Sequence, residues 1–425
     1  MKNDSFLKLL DDITIRKQSL FITGPAGVGK THLLTAIYNS LKAHGAKIVL
    51  TSTTGINALN LGGITIHKLM GLQNRSDMGY IGFMKSSFLF RGIAQRMTKV
   101  DYIIIDEVSM LRADTFELIN EILKQTTHSD KPFGGKVMIF TGDFYQIPPV
   151  VKSWEKKQNQ WLFNSPSWRK ANIRTIHLQD VYRQEDKNFV KFLNDIRTGK
   201  WNPKTAKVLE KCVDRKLPKD TTVFFSTNEE CDNFNIKRLN QIKEPMYTFE
   251  AEIKGKGNHK YKHDKEAIVR DCIAKPILQL KVGTRVIAIS NDKKGRYMNG
   301  SVGCVIACDT KNYTVSVKFE GRDDVIKLRR YVWARLGFDG RPKAKFKQIP
   351  LLPAYALTIH KSQGMTLDAA IIDCKNIFAC GQLYVALSRV RKLENLKVMN
   401  FHKNQIIVSP EVKTFYSELN KYHLD

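Results

Sequence analysis

Apolar positions in the first 150 residues fall into short continuous runs, not alternating ones. SLFIT (19–23), AKIVLTS (46–52), DYIIIDE (101–107) and KVMIFTGD (136–143) each read as a strand buried on both faces. Between the first two lies THLLTAIYNSLKAHG, where Leu33, Leu34, Ile37, Tyr38 and Leu41 recur at helical spacing. Gly45 stands where that helix should stop. Buried strands alternating with helices predict a parallel sheet covered on both faces. TVFFST (222–227), AAIIDC (369–374) and LKVMNF (396–401) repeat the pattern and predict a second α/β domain. Residues 282–333 change texture. GTRVIAIS, GSVGCVIAC and YTVSVKFEG are short alternating segments separated by turn residues, which predicts a small β-barrel or meander inserted into the second domain.

A length of 425 residues fits two to four domains. With 42% apolar and 26% charged residues, wholesale disorder and a disulfide-stapled miniature scaffold are excluded. No apolar run nears the roughly 20 residues that cross a bilayer. The start, MKNDSFLKLLDDITIRK, lacks a basic-then-apolar leader pattern, so the expectation is a soluble intracellular protein without a membrane partner. Seven cysteines without a C-x-x-C pair suggest neither a disulfide framework nor a zinc site. Charge changes the picture most. Lys and Arg number 69 against 41 Asp and Glu, a net +28, which implies a polyanionic partner and most directly nucleic acid.

The chemistry begins at GPAGVGKT (24–31), which matches G-x-x-x-x-G-K-[ST] with a strand before and a helix after. Gly24, Gly27 and Gly29 allow backbone N–H groups to turn onto phosphate oxygens, and Pro25, Ala26, Val28 and His32 complete the expected contact set. Lys30 would bridge β- and γ-phosphates, and Thr31 would hold Mg²⁺. In IIIDE, Asp106 at a strand end suits the Mg²⁺ shell. Glu107, pointing differently on an extended chain, suits general-base work on water. Gln146 in TGDFYQIPPV could sense the γ-phosphate through its amide.

The order of these blocks is distinctive. GPAGVGKT, TSTTGINALNLGGITIHKL (51–69), IIIDEVSML, FTGDFYQIPPV, LQDVYRQ, YALTIHKSQGMTLD and GQLYVALSRVR together resemble superfamily-one helicases. More narrowly they resemble the petite-integration-frequency (PIF) family and its RecD-like relatives, which are 5′→3′ DNA helicases. The likeness spans residues 15–403. It implies two RecA-like P-loop domains around an ATP cleft, ATP and Mg²⁺ as cofactors, and a monomer acting on single-stranded and forked DNA. It makes Arg183 and Arg389 the arginines that reach the γ-phosphate, and places Gln363 and Gly364 beside the nucleotide. Thr54, Gly55, Asn60, Thr65 and His67 in the first domain, with Asn228, Thr358, His360 and Lys361 in the second, become DNA contacts.

The expected boundaries are 1–176 for the first domain, with a wedge insert at 73–98 whose rings Phe83, Phe88 and Phe90 would face the fork. The second domain takes 177–303 and 350–425, and an SH3-like barrel takes 304–349. The sequence departs from the family in one place. The segment before Gly24 lacks the usual L-x-x-x-Q, with only Gln18 nearby, which leaves ATP as the default and a relaxed base preference open. Other readings of the same engine are an RNA helicase or translocase and a non-processive, ATP-gated nucleic-acid clamp.

Overall fold

The computed structural model describes residues 3–72, 88–149, 161–255, 262–292, 294–336 and 342–422. It forms two units, Met1–Tyr182 with Ser409–Asp425, and Arg183–Val408. In the first, six strands pair in parallel: β1 (Leu20–Thr23), β2 (Ile48–Ser52), β3 (Ile64–Thr65), β4 (Tyr102–Asp106), β5 (Val137–Gly142) and β6 (Arg174–His177), in the order β3-β2-β4-β5-β1-β6. β1, β4 and β5 are buried along their whole length, as continuous apolar runs require. The helix Lys30–Ala43 lays Leu34, Ile37 and Leu41 against Leu20, Ile22, Ile104 and Ile139, and Leu9 and Ile13 of the first helix join the same core. Each such side chain contributes about 1.5–3 kcal/mol when fully buried. The helix ends at His44, and Gly45 takes φ +75 with its N–H on the Lys42 carbonyl.

The expected insert at 73–98 is only partly within view. Residues 73–87, with Phe83, lie outside the described residues. Phe88 opens the helix Phe88–Met97, whose Ile93 and Met97 are buried and which packs on the helix Ala113–Thr127. The C-terminus corrects the expected division. Residues 409–425 belong to the first unit, not the second, because the helix Pro410–Tyr422 carries Phe415 onto Phe163 and Phe144 of that unit. Aromatic packing across such a sequence separation leaves no local signal.

The second unit holds β7 (Val223–Phe225), β8 (Tyr247–Glu250), β9 (Glu252–Gly255), β10 (Ile277–Leu280), β11 (Arg285–Ala288), β12 (Val302–Asp309), β13 (Thr314–Phe319) and β14 (Val325–Arg329). β15 (Tyr331–Leu336), β16 (Pro342–Gln348), β17 (Leu351–Pro353), β18 (Ala356–Thr358), β19 (Ala370–Asp373) and β20 (Leu396–Met399) follow. β18-β7-β19-β20 form a parallel sheet. The rest are antiparallel, in sheets β10-β8, β14-β13-β12-β11-β17 and β15-β16-β9. This β region runs from Tyr247 to Pro353, wider than the expected 304–349, and Phe249, Leu278, Val286, Val305, Val317 and Leu351 share its core. Strands of four residues such as β8 and β9 are too short to announce themselves by alternation.

Candidate nucleotide and nucleic-acid site

A parallel sheet gathers its functional loops at the carboxyl ends of its strands. β1 ends at the 24–29 loop, β4 at Asp106, and β5 at Gly142 beside the 143–146 turn. The loop is built on positive φ values at Gly24 (+147), Gly27 (+83) and Gly29 (+82). A Cβ at Gly24 would collide with the Leu178 carbonyl at the end of β6, so only glycine lets the two strand ends meet. Gly29 caps the helix Lys30–Ala43 without a side chain, which leaves its first turn to backbone donors. Lys30 Nζ lies 2.8 Å from Gly24 O and 2.9 Å from Pro25 O, closing the loop on itself. Thr31 and His32 are exposed, Ala26 and Val28 are buried, and Pro25 is half-buried.

Asp106 is 8% exposed, and its Oδ1 accepts the Thr141 hydroxyl from the neighbouring strand β5. Burial pushes this carboxyl above its ordinary range, opposed by the Thr141 hydrogen bond, the Glu107 N–H and the Lys30 charge. Glu107 separates from it differently than expected. It leaves the strand in the left-handed region (φ 55, ψ 43) at the start of the short helical turn Val108–Met110, so a turn and not the strand pleat re-aims the second carboxylate. That conformation is costly for a residue with a Cβ, and its carbonyl accepts the Thr53 hydroxyl at 2.8 Å.

Gln146 is buried. Its N–H donates to Asp143 O at 2.9 Å, and its Nε2 lies 3.5 Å from Asp143 Oδ2. Asp143 in turn meets the Tyr416 hydroxyl. Tyr182, 69% exposed, donates its N–H to Gly27 O at 2.9 Å, and its ring lies beside Gly29. Gln18 is turned elsewhere: its amide donates to the carbonyls of Ser19 and Asn172.

In the second unit Arg183 and Arg389 converge on one residue. Arg183 Nη1 donates to Ser388 O at 3.1 Å, and Arg389 Nη2 to Ser388 Oγ at 2.7 Å. Arg389 is 2% exposed, with Nε on Val385 O at 2.8 Å. Gln363 and Gly364 (φ +80) sit in the turn after β18.

The residues expected to hold DNA also follow strand ends. Thr54 and Gly55 come after β2, Thr65 ends the adjacent β3, and His67 follows it. Asn228 follows β7, and Thr358, His360 and Lys361 lie at the end of its neighbour β18. Thr54, Thr65 and Thr358 accept backbone N–H groups from Asn57, Lys68 and Lys361, each at 3.3 Å. A hydroxyl that caps through a lone pair still has its proton for a phosphate oxygen. Asn60 closes the helix Gly55–Asn60, and Asn228 is exposed. Burial holds His67 and His360 below the ordinary histidine value, so both are neutral donors near pH 7.

Residues 5–207 match the family model described as PIF1-like helicase. A curated relative from Bdellovibrio bacteriovorus, "ATP-dependent DNA helicase Pif1", is 31% identical over 96% of this chain and 90% of its own. The chain belongs to the PIF1-like helicase family. A human relative, "ATP-dependent DNA helicase PIF1", is 32% identical over 96% of this chain, which spans 62% of that protein's length. The structure of Bacteroides sp Pif1 in complex with ADP-AlF4 superposes with TM-score 0.84 at 28% identity, covering 100% of this chain and 98% of that one.

The matched residues 5–207 span the loop, Asp106, Glu107, Gln146 and Arg183, whereas residues 358–364 and Arg389 lie beyond them. Sequence reasoning missed Thr141, Tyr182 and Tyr416. Thr141 sits two residues before Asp143 and Tyr182 one before Arg183, so their motifs contained them. Tyr416 carries no local signal.

Proposed function

We propose that this chain is an ATP-dependent DNA helicase that moves 5′ to 3′ along single-stranded DNA and separates forked duplexes. The observation that carries the reading is the convergence of Lys30, Asp106, Glu107 and Gln146 at the ends of three neighbouring strands. Phosphoryl transfer to water passes through a loose transition state, so positioning and charge supply most of the catalysis. Lys30 exchanges loop carbonyls for the β- and γ-phosphates. Glu107 takes the proton of the attacking water, and the Gln146 amide orients on the γ-phosphate. Arg183 and Arg389 neutralise the equatorial oxygens, and Gln363 and Gly364 line the nucleotide side.

Asp106 and Thr31 fit Mg²⁺. A buried carboxylate held back by desolvation is stabilised by a cation, and Mg²⁺ takes one or two protein oxygens while keeping water and phosphate. When bound, the ion supplies charge against the phosphates. The Tyr182 ring offers a stacking face for the nucleotide base, and stacking accepts any base. With Gln18 committed to backbone, ATP is used but GTP is not strongly rejected.

DNA as partner is supported by the relatives' names and by the net charge of +28. The capping threonines, with Gly55, Asn60, His67, Asn228, His360 and Lys361, grip the strand through its backbone, indifferent to sequence. The wedge of this proposal is the 73–98 insert, with Phe83, Phe88 and Phe90 as its candidate rings by sequence, and its working unit is the monomer. Displacement assays on duplexes with a 5′ tail, a 3′ tail or none test the reading. Unwinding of the 5′-tailed duplex alone is expected. Unwinding of only the 3′-tailed duplex refutes the direction, and stimulation of ATPase by RNA as strong as by matched DNA refutes DNA as the preferred track.

A further inference from the structure

The helix Pro410–Tyr422 closes the chain and belongs to the first unit, although the whole second unit precedes it. Val412 is buried, and Phe415 stacks on Phe163 at 4.4 Å and meets Phe144 edge-on at 5.3 Å. Those contacts are enough to dock a helix. The neighbouring Tyr416 does more with its hydroxyl, which lies 2.6 Å from Thr23 Oγ1, accepts the Phe144 N–H at 3.1 Å and lies 3.3 Å from Asp143 Oδ1. A phenol has one proton to give and two lone pairs. With Asp143 as a carboxylate, which only accepts, Tyr416 donates to Asp143 and accepts the Phe144 N–H, which leaves the Thr23 hydroxyl to donate to Tyr416.

Asp143 is 0% exposed, so its carboxylate depends on such donors. Oδ1 also accepts the Tyr145 N–H at 3.1 Å, while Oδ2 faces the Gln146 amide. The Tyr145 ring stacks on Tyr416 at 4.8 Å and 15°. Carboxylate and ring of the 143–146 turn therefore both contact Tyr416, at the strand ends that carry the phosphate loop. The geometry points to Tyr416 as a positioning residue for ATP hydrolysis, aiming Gln146 through Asp143. This inference rests on the nucleotide reading above.

Tyr416→Phe removes one hydroxyl and keeps the stacking. At saturating single-stranded DNA, its kcat for ATP is expected to fall on the order of tenfold, as small misplacements of a catalytic group do, with KM for ATP unchanged. Gln146→Ala should lower kcat too, and the double variant should be no slower than Gln146→Ala, because the hydroxyl acts through that side chain. Phe415→Leu, which loosens the same helix, should lower the unfolding temperature and leave kcat alone. Multiplying losses in the double variant, or an equal kcat loss in Phe415→Leu, overturn the proposal.

If Tyr416→Phe does not fold, hydrogen exchange on the unaltered chain decides. The Phe144 amide and the helix Pro410–Tyr422 should slow together on adding ADP with aluminium fluoride, and slowing at Phe144 alone overturns the proposal. A wild-type chain without DNA-stimulated ATPase refutes the functional reading itself. A normal wild-type rate with unchanged kcat in Tyr416→Phe refutes only the positioning role.

Discussion

Gly24→Ala puts a single methyl group at the tightest point of the phosphate loop. Its φ of +147 is one that L side chains rarely adopt, and the added carbon would sit well inside 3.0 Å of the Leu178 oxygen and 3.2 Å from both Leu178 C and Val28 Cγ2. The backbone strain costs about 1–3 kcal/mol. To make room, the end of β6 must withdraw, which loosens the Leu178 N–H bond to Thr23 O, now 2.8 Å and worth about 1 kcal/mol. The first unit should lose about 2–4 kcal/mol, and its unfolding temperature should fall on the order of 10 °C. Gly45→Ala is the matched control. It lies in the same unit with φ +75 and has no atom within 4 Å of the new carbon, so it meets strain of about 1–2 kcal/mol without collision. Scanning calorimetry of both variants, with KM for ATP measured beside it, separates the effects. A Gly24→Ala loss no greater than that of Gly45→Ala would refute the sealing of the loop by Leu178.

Three further outcomes are expected. Lys30→Ala should abolish DNA-stimulated ATPase while sparing single-strand binding at low salt, and Glu107→Gln should bind ATP without turnover; near-normal hydrolysis by either contradicts its assignment. Affinity for single strands should fall with salt, each phosphate contact adding about −0.7 to the log–log slope, and Lys361→Ala should flatten it; a slope near zero contradicts a backbone grip. Acid should destabilise both units through His67 and His360. Because burial lowers their folded values from 6.5, the unfolded chain takes up protons first, so stability is complete above that value and declines as pH falls through it. Thermal unfolding between about pH 7.5 and 5.5 should show a smaller acid loss in the His67→Gln, His360→Gln double variant, and an identical loss would show that these histidines do not cause it.

The strands and the glycine loop were legible in the chain because their parts are local. Short apolar runs such as IIIDE fit interior strands, and Gly24, Gly27 and Gly29 fit a loop with the positive φ values found there. Thr54, Thr65 and Thr358 were named from motifs, and the structure adds that each is a cap at the end of a parallel strand. Glu107 could not be placed correctly, since an extended and a left-handed residue after a strand have the same local sequence, and only the folded chain shows the left-handed turn, with the Thr53 hydroxyl on its carbonyl. The C-terminal helix shows the limit most clearly. Its amphipathic pattern says that one face is buried but not where. Only the tertiary packing of Phe415 on Phe163 chooses the first unit, and only that choice brings the Tyr416 hydroxyl to Thr23 and Asp143, because periodicity records which residues seek burial while the partner is set by the shape they fill together.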